Sequence, residues 1–417
     1  MIRLSRVILV LTAAMAVPRA VSGMADSLVV KATREVRGFV RDSIRVNGEA
    51  LRINRTPKHG STDYLSIDFG RVRDVDGLVL QWDSLSYPRE VTVYLSKDAS
   101  TWQPAVVSRN AFGGSRAVFL PKSMARAILI ECKDNPTDNP YGLRGVTIIP
   151  GDMPASAERF VRFLANSARV GLFPGFLRGR SAALAELGDS AVASHAVLTD
   201  EGIVYPSSAV GVAIEPFLFT GNRLLTWNDG LRKLEKQPVL QAIREHGSLQ
   251  LSVLPFFWQK EGIRAMVVRY HLQNSGPSAV QGKLFLALRP FAMGRSGQKS
   301  SAEGEVGAIM RISYARHRFD LNGKVFIYTV ENPKAVGVST VNSGEIVSHL
   351  DHGFVPSDQM GFQAQGLMSG AASYQYKLGS GKSVTYELVI PLQQPPVGWM
   401  APTAKELLIV RPPAVGL

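Results

Sequence analysis

Apolar and polar residues alternate in short runs, separated by turn residues, through the first third of the chain. An alternation with a period of two places one face of each strand in a core. The pattern therefore predicts an antiparallel sandwich, with a hairpin turn at residues 98–100. The predicted strands cover residues 65–69, 77–82, 90–95, 117–120, 127–132 and 145–149.

A helical spacing follows this first sandwich. Phe160, Phe163 and Leu164 lie on one side of the predicted helix, Ser156 stands at the N-cap and Glu158 in the first turn. One amphipathic stripe of this length is typical of a helix that packs between domains. We therefore predict a single linker helix.

The second half of the chain returns to strands. Most connections between them are short and rich in Gly, Asn and Ser, which favours antiparallel pairing. The pattern predicts a second, larger sandwich of about 200 residues, followed by a proline-rich tail. The predicted strands cover residues 211–219, 249–257, 263–272, 283–290, 325–330 and 384–391.

The first 25 residues have the composition of a secretory leader. Arg3 and Arg6 precede an apolar stretch at residues 7–17, which is too short to span a bilayer, and small residues near Ala25 form a cleavage zone. An uncleaved anchor is the alternative. We expect a secreted or periplasmic protein, in which the single cysteine, Cys132, is a buried apolar residue without an internal disulfide partner.

The chain is basic, with 47 Lys and Arg against 34 Asp and Glu and a net charge of +13. These charges are scattered and form no run of five or more. A continuous patch that follows a phosphate backbone should be visible, so nucleic acid is not the predicted partner. Anionic lipid or an acidic polysaccharide suits such a surface better, or the charge serves no specific partner.

Sequence motifs for phosphate binding and serine hydrolysis are incomplete. The Gly-Lys-Ser at residues 381–383 has Tyr376 where a phosphate loop needs its first glycine, and a strand follows it, so we predict a hairpin turn. The nearest match to a nucleophile elbow, at Ser115, has Ala117 in place of its last glycine. Neither chemistry is predicted.

Two groups of residues could ligate a metal. His349, Asp351 and His352 have no third and fourth ligand at a recognisable spacing, so no metal site is predicted there. The second group is a loop of oxygen donors, which suits calcium as well as a solvated turn, and calcium is the one ion left open while no other cofactor is predicted. Its members are Asp134, Asn135, Asp138 and Asn139.

Carboxylates and aromatic loops suggest two kinds of carbohydrate chemistry. Glycoside hydrolysis needs two facing carboxylates, but the spacing of Glu201, Glu215 and Asp229 does not show that any two converge. Binding needs aromatic rings for stacking and polar groups for hydroxyls, and each ring could equally pack the sandwich rim. We predict a binding site at two loops of the first sandwich, made by Asp83, Tyr87, Arg89, Tyr141 and Arg144.

Residues 65–149 resemble the discoidin, or coagulation factor 5/8 type C, domain. The similarity rests on LSIDFGRVRDVDGLVLQW, VTVYLSKDASTWQP, ARAILIEC and YGLRGVTI in that order. The resemblance implies a galactose-binding-like jelly roll whose ligand is a glycan or a cell-surface polysaccharide. In this family the tryptophan at 102 packs under its hairpin, so it is not a predicted site residue.

Residues 159–392 resemble the supersandwich that precedes the helical toroid of glucoamylase-type glycoside hydrolases, on AIEPFLFTGNRLLTW, MVVRYHLQNSG and KLFLALRPF. In such enzymes the acid and base lie in the toroid, which we do not find in this chain. The resemblance implies a carbohydrate-binding protein rather than an enzyme. The alternatives are the N-terminal part of a split glycoside hydrolase, partnered by a separately encoded helical catalytic domain, and a structural or protein-interaction module.

The predicted fold class is thus all-β, a galactose-binding-like jelly-roll sandwich plus a larger antiparallel supersandwich, joined by one linker helix. The predicted divisions are a signal peptide at 1–25, the discoidin-like domain at 26–153, the linker at 154–180, the supersandwich at 181–393 and the tail at 394–417.

Overall fold

The protein is predominantly built of antiparallel strands, which confirms the all-β prediction. A few short helices lie between and beside the sheets. The computed structural model describes residues 43–46, 49–52, 62–83, 86–109, 113–134, 141–150, 156–189, 194–206, 211–293, 304–396 and 398–408.

Seven strands form the first sandwich in the order β2-β1-β7-β3-β6-β4-β5. All of their pairs are antiparallel except that of β1 with β7. The strands are β1 Ser43–Val46, β2 Glu49–Arg52, β3 Thr62–Trp82, β4 Glu90–Ser96, β5 Gln103–Ser108, β6 Gly114–Lys133 and β7 Leu143–Pro150.

β3 and β6 each join two segments that the sequence predicted as separate strands. Both run through register shifts, one between Asp68 and Arg73 and the other between Val75 and Gly77. Such irregularities bend a strand without ending it. The first half of β3 therefore pairs with the half of β6 that lies beside β4, and the second half of β3 pairs with both β6 and β7. The predicted strand positions are right, but the breaks between them are bends.

The core of the first sandwich is closed and apolar. Cys132 is fully buried in it, as predicted. Other members of this core are Leu65, Ile67, Leu78, Leu80, Val91, Val93, Val118, Ile128, Ile130 and Ile148.

The predicted hairpin turn between β4 and β5 is confirmed. The Asp98 carboxylate accepts hydrogen bonds from the backbone N–H groups of Thr101 (2.7 Å) and Ser100 (2.8 Å), and Ala99 adopts a positive φ of 63°. These donors hold the pKa of Asp98 well below its ordinary value.

The predicted linker helix is α1, Ala157–Ser167. Ser156 caps it by accepting a hydrogen bond from the Arg159 N–H at 3.1 Å, and Glu158 pairs with Arg162 at 2.9 Å. A short 3-10 helix, Gly175–Arg178, follows it. The N-cap and first-turn signals therefore located the start of this helix correctly.

Two large sheets form the second sandwich. One has the order β23-β25-β17-β11-β10-β9-β8, with β12 beside β11, and the other has the order β13-β14-β15-β16-β26-β22-β21-β20-β24. β18 and β19 form a separate pair. The elements are β8 Leu184–Asp189, β9 Ser194–Thr199, β10 Val204–Tyr205, β11 Ala213–Thr220, β12 Arg223–Leu225, β13 Leu231–Glu235, β14 Gln241–His246, β15 Leu249–Lys260, β16 Ile263–Asn274, β17 Val280–Arg289, β18 Phe291–Met293, β19 Gly304–Val306, β20 Arg311–Ala315, β21 Arg318–Leu321, β22 Val325–Thr329, β23 Ala335–Ser339, α2 Ile346–Leu350, β24 Met360–Phe362, β25 Ser369–Leu378, β26 Ser383–Pro391 and α3 Ala404–Leu408.

The apolar run along β17 is explained by burial on both of its faces. Leu284, Leu286 and Leu288 point into the core between the two large sheets, whereas Phe285 and Ala287 point to the opposite side. Continuous apolar runs are typical of strands that are covered on both faces.

The turn at residues 379–382 is not the hairpin that the sequence predicted. It leads from β25 in one large sheet to β26 in the other, and these two strands do not pair with each other. Asn274 fastens this crossing, because its buried side-chain amide donates to the carbonyls of Ser278 (2.8 Å) and Leu378 (3.2 Å). The sequence pattern predicted the turn correctly, but not that this turn connects strands of two different sheets.

The second sandwich and the first share one apolar layer, which we call the interdomain core. Val79 and Phe119 come from the first sandwich, Phe160 from α1, and Phe285 and Val347 from the second sandwich. A hydrogen bond from the Phe119 N–H to the side chain of Asn342 (2.8 Å) crosses the same layer. The helix thus packs between the sandwiches as predicted, while the domain boundaries themselves stay a prediction.

The proline-rich segment packs on the outer face of the second large sheet. Leu407 of α3 is fully buried and its carbonyl accepts a hydrogen bond from Arg269 at 2.8 Å, while Trp399 meets Tyr328 edge-on at 5.3 Å. In the part of the chain that the structure describes, no helix is long and apolar enough to cross a membrane.

Candidate functional site

One end of the first sandwich gathers several connections, and we call residues 83, 86–89, 134 and 141–144 the loop end. β3 enters it at Trp82, and β7 leaves it at Leu143. Backbone hydrogen bonds tie the loops together, from the Asp83 N–H to the Gly142 carbonyl (2.7 Å) and from the Arg89 N–H to the Asp134 carbonyl (2.9 Å). The sandwich therefore holds two distant segments of the sequence against each other.

Asp83 and Arg144 form an ion pair at this end. Both Nε and Nη2 of Arg144 contact one oxygen of the Asp83 carboxylate. The Arg144 side chain is 55% exposed and that of Asp83 is 20% exposed. A side chain at position 142 would collide with this carboxylate, so Gly142 leaves the room that the pair occupies. The structure thus brings together two residues that the sequence placed in one predicted site.

Tyr87 and Arg89 lie on the same loop as Asp83. Tyr87 is half-buried and packs partly against the core of the first sandwich, whereas Arg89 is exposed. The loop end therefore offers solvent an ion pair, one partly accessible aromatic ring and a further cation.

Tyr141 occupies a different environment from the exposed loop position that we expected. It is 2% exposed and packs edge-on against Trp82, with 6.3 Å between the ring centroids. A ring in this position supports the loop from below and presents no face to a ligand. The Tyr-Gly turn signalled the loop correctly, but the sequence could not show that the ring turns inward.

Sequence reasoning missed Arg116, which supports the loop end from inside. Its side chain is 1% exposed, donates to the Pro88 carbonyl at 2.9 Å and lies 6.0 Å from the Trp82 ring. Burial lowers the pKa of Arg116 to about 10, so the guanidinium stays charged at neutral pH. The period-two pattern could have found it, because Arg116 points to the same side of β6 as Val118 and Leu120.

Glu215 lies in the interior of the second sandwich. Arg289 binds it at 3.0 Å and binds Glu345 at 2.7 Å, so one buried guanidinium joins two carboxylates. Burial raises the pKa of Glu215 to about 7 despite the opposing effect of Arg289. This arrangement closes the interior and leaves Glu215 no access to a substrate.

Glu201 is the second buried carboxylate of the three that we considered for hydrolysis. It accepts a hydrogen bond from the Gly175 N–H at 3.0 Å, and burial raises its pKa to about 8, with a further contribution from the charge of Glu215. Asp229 lies nearer the surface, where it pairs with Arg169 at 3.2 Å. The three carboxylates therefore do not line one open cleft.

The histidines of the His-x-Asp-His motif have separate environments. His349 is buried in α2, where its Nε2 lies 3.2 Å from the Gly344 carbonyl and 3.3 Å from the Ser339 hydroxyl. Burial lowers the pKa of His349 to about 3, so the ring is neutral at physiological pH. His352 is exposed, with its Nδ1 2.9 Å from the Ser348 carbonyl.

The acidic loop after β6 is the second candidate for metal ligation. Within the residues that the structure describes, no group of three or more His, Cys, Asp or Glu side chains is placed to hold a metal ion. Asn135, Asp138 and Asn139 lie outside the described residues, so calcium binding by this loop stays a prediction.

Comparisons with protein families and with solved structures relate the chain to known proteins. No curated protein matches the sequence. Among solved structures, chitosan-binding module 2 of a chitosanase/glucanase from Paenibacillus sp. IK-5, in complex with chitotriose, is 14% identical and has a TM-score of 0.20, with coverage of 21% of this chain and 68% of that one. A Clostridium perfringens structure named CpGH89CBM32-6 is 13% identical with a TM-score of 0.20, and coverage is 23% and 74%.

A longer superposition involves a family 89 glycoside hydrolase from Clostridium perfringens, in complex with 2-acetamido-1,2-dideoxynojirmycin. It is 12% identical and has a TM-score of 0.24, with 43% of this chain covered. The chain spans only 25% of that enzyme's length. Superpositions with such low sequence identity and TM-score do not bear on function.

The family comparison is more direct. The family model described as the F5/8 type C domain matches residues 41–145, a segment that carries six of the seven strands of the first sheet, the start of β7 and the loop end. The bent strands and the hairpin at Asp98 lie within this match, as do most members of the buried core. Residues 41–145 therefore form an F5/8 type C, or discoidin, domain.

Proposed function

We propose that this protein binds glycans through the loop end of its discoidin domain. The observation that carries the proposal is the match of residues 41–145 to the F5/8 type C domain. The loop end of this segment carries accessible polar and aromatic side chains. Asp83, Tyr87, Arg89 and Arg144 are the residues that we assign to binding. Tyr141 and Arg116 support the loops from the interior.

The ion pair suits sugar hydroxyls because each hydroxyl can donate and accept a hydrogen bond. Asp83 would accept from one hydroxyl, and Arg144 would donate to its neighbour on the ring. The accessible part of Tyr87 would pack against the C–H face of the sugar. Arg89 adds a cation, which extends the range of ligands to acidic glycans.

A site of this kind binds weakly. The loop end is a shallow surface, and its hydrogen bonds compete with water, so little of the contact energy remains as affinity. We expect dissociation constants from millimolar to tens of micromolar, or roughly −4 to −7 kcal/mol. Together with the predicted leader at residues 1–25, this suggests a secreted or periplasmic protein that attaches to a polysaccharide rather than one that cleaves it.

Isothermal titration of the full-length protein tests the proposal, with galactose, cellotriose and N-acetylchitotriose as probes. Tyr87→Ala should weaken binding about tenfold, because an aromatic contact contributes about 1 to 1.5 kcal/mol. Arg144→Gln should also weaken binding. Thr101→Ala, an exposed change in the hairpin that follows β4, is the matched control and should bind like the wild type.

Two results would contradict the proposal. One is the absence of binding to any glycan on a broader array, and the other is unchanged affinity in folded Tyr87→Ala and Arg144→Gln variants. The same glycans should be incubated with the purified protein, since release of free sugar would favour a hydrolase instead of a binding protein.

A further inference from the structure

A cleft of about 400 Å³ lies between the two sandwiches, apart from the loop end. Its apolar wall combines Val79 and Ala117 of the discoidin domain with Leu164 and Leu172 of the linker and Val347 of α2. Ligand sites in proteins usually have volumes of this size, are mostly apolar and occur at domain interfaces. The cleft exists only because the two sandwiches share the interdomain core.

Polar groups stand along the rim of this cleft. Arg169 reaches across it and binds Asp351 at 3.0 Å and Asp229 at 3.2 Å. The exposed side chains of Ser115 and His352 also line the cleft. An ideal Cβ placed at Gly114 would lie 3.4 Å from the His352 ring, so the two sandwiches nearly touch at this point.

A second depression continues the cleft on its polar side. It has a volume of about 590 Å³ and shares Arg169 and Asp351 with the first. Asn222, Arg223 and Asn228 line the remainder, and Arg223 also pairs with Asp229. The combined trough therefore passes from an apolar wall to a surface of alternating donors and acceptors.

The charges of the trough indicate a neutral ligand. Arg169 and Arg223 face the two carboxylates of Asp229 and Asp351, so the cations are already compensated and an anion gains little net attraction. Side-chain amides, guanidinium groups and carboxylates supply both donors and acceptors, as a polyhydroxylated ligand requires. The apolar wall can cover the C–H face of a sugar ring.

We propose that this interdomain cleft is a second carbohydrate site, which takes a neutral oligosaccharide segment. It lies near the loop end, because Gly114 at its edge pairs with Trp82, the last residue of β3. The choice of a carbohydrate rests partly on the proposed function, while the neutral class follows from the trough itself. Ser115, Arg169 and His352 are the residues that we assign to it.

Titration of the full-length protein with cellotriose tests this assignment, with N-acetylchitotriose as a second neutral probe and trigalacturonic acid as an anionic one. The wild type should bind two equivalents of trisaccharide per protein molecule, one at each site. Ser115→Trp fills the cleft from an exposed strand position and should remove one of these two equivalents. His352→Ala opens the rim and should weaken that equivalent at least threefold. Val107→Trp, at an exposed position on β5, is the matched control and should leave both equivalents unchanged.

The outcomes separate the two sites. If Tyr87→Ala removes one equivalent and Ser115→Trp the other, both proposals are supported. If Ser115→Trp and His352→Ala fold normally and bind like the wild type, the cleft is not a site, and the loop-end proposal stands. If only the cleft variants lose binding, the loop-end proposal fails instead.

Two further results would overturn the cleft assignment. Binding of trigalacturonic acid that is tenfold tighter than that of cellotriose, and is lost in Ser115→Trp, would contradict the neutral class. Failure of the wild type to bind any neutral trisaccharide would reject the cleft assignment. Thermal melting of each variant confirms that a lost equivalent does not reflect unfolding.

Discussion

Phe160→Ala should disrupt the contact between the two sandwiches. The Phe160 side chain is 2% exposed, and its ring centroid lies 4.7 Å from that of Phe119 in the discoidin domain. Gly77 lies against the same ring, since a Cβ there would come within 2.7 Å of Phe160. The substitution would leave a cavity between α1 and the first sandwich, in a layer that also contains residues of the second sandwich.

The expected loss of stability is large for one side chain. Truncation of a buried phenylalanine to alanine typically lowers the free energy of unfolding by about 3 to 5 kcal/mol, through lost burial and the cavity that remains. Part of this loss falls on the contact between the sandwiches. The form of the protein in which the two sandwiches have separated therefore becomes more populated. A loss of about 3 kcal/mol on that contact raises its population roughly a hundredfold.

Limited proteolysis measures this opening directly. In the wild type the interdomain core should protect the segment at residues 154–180, so cleavage there should be slow although the segment joins two sandwiches. In Phe160→Ala, cleavage should become much faster and should release an N-terminal fragment of about 130 residues and a C-terminal one above 200, the sizes expected for two sandwiches that each keep their own core.

Phe256→Ala is the matched control. Phe256 is 1% exposed but belongs to a cluster on the outer face of the second sandwich, away from the discoidin domain. It should lower the melting temperature comparably without faster cleavage of the linker. Equal cleavage rates in the two variants, or a linker that is cleaved rapidly in the wild type, would refute the argument that the interdomain core holds the sandwiches together.

Three further predictions concern the chain as a whole. Burial raises the folded-state pKa of Glu201 to about 8, above its ordinary 4.5, so the folded state binds the proton more tightly than the unfolded state. The free energy of unfolding should therefore fall as the pH rises between these two values. Glu201→Gln should flatten this pH dependence in denaturant titrations at pH 5 to 8. Asn274→Ala should lower the free energy of unfolding by about 1 to 3 kcal/mol, because the buried contact with the Leu378 carbonyl loses its donor, and urea titration measures this loss. Mature protein should begin near Ala25 or Asp26, and N-terminal sequencing that finds Met1 on exported protein would contradict the leader.

Local patterns predicted the strands well because each strand buries one face or both. The periodicity located both ends of β16 and β17 to within a few residues, and the cap at Ser156 located α1. The periodicity failed where the local sequence does not determine which strands pair. The Gly-rich turn at residues 379–382 has the same composition whether its strands pair in one sheet or enter two.

The loop end was predictable in part for the same reason. Loops that combine aromatic and polar residues indicated Asp83 and Arg144, and the sheet order brings these two loops to one end. The direction of the Tyr141 ring depends on Trp82, which is distant in sequence, and no local pattern encodes that contact. The cleft was not predictable, because its walls come from four segments that meet only in the folded protein.

The interdomain core connects these observations to binding. Two weak sites on one protein bind a long chain better than either does alone only if the distance between them matches the ligand. A flexible linker would spread that distance over many values, whereas packing of Phe160 between the sandwiches fixes it. The buried helix that stabilises the fold therefore also sets the spacing between the loop end and the cleft, and a glycan long enough to reach both would benefit from an interface that touches no sugar.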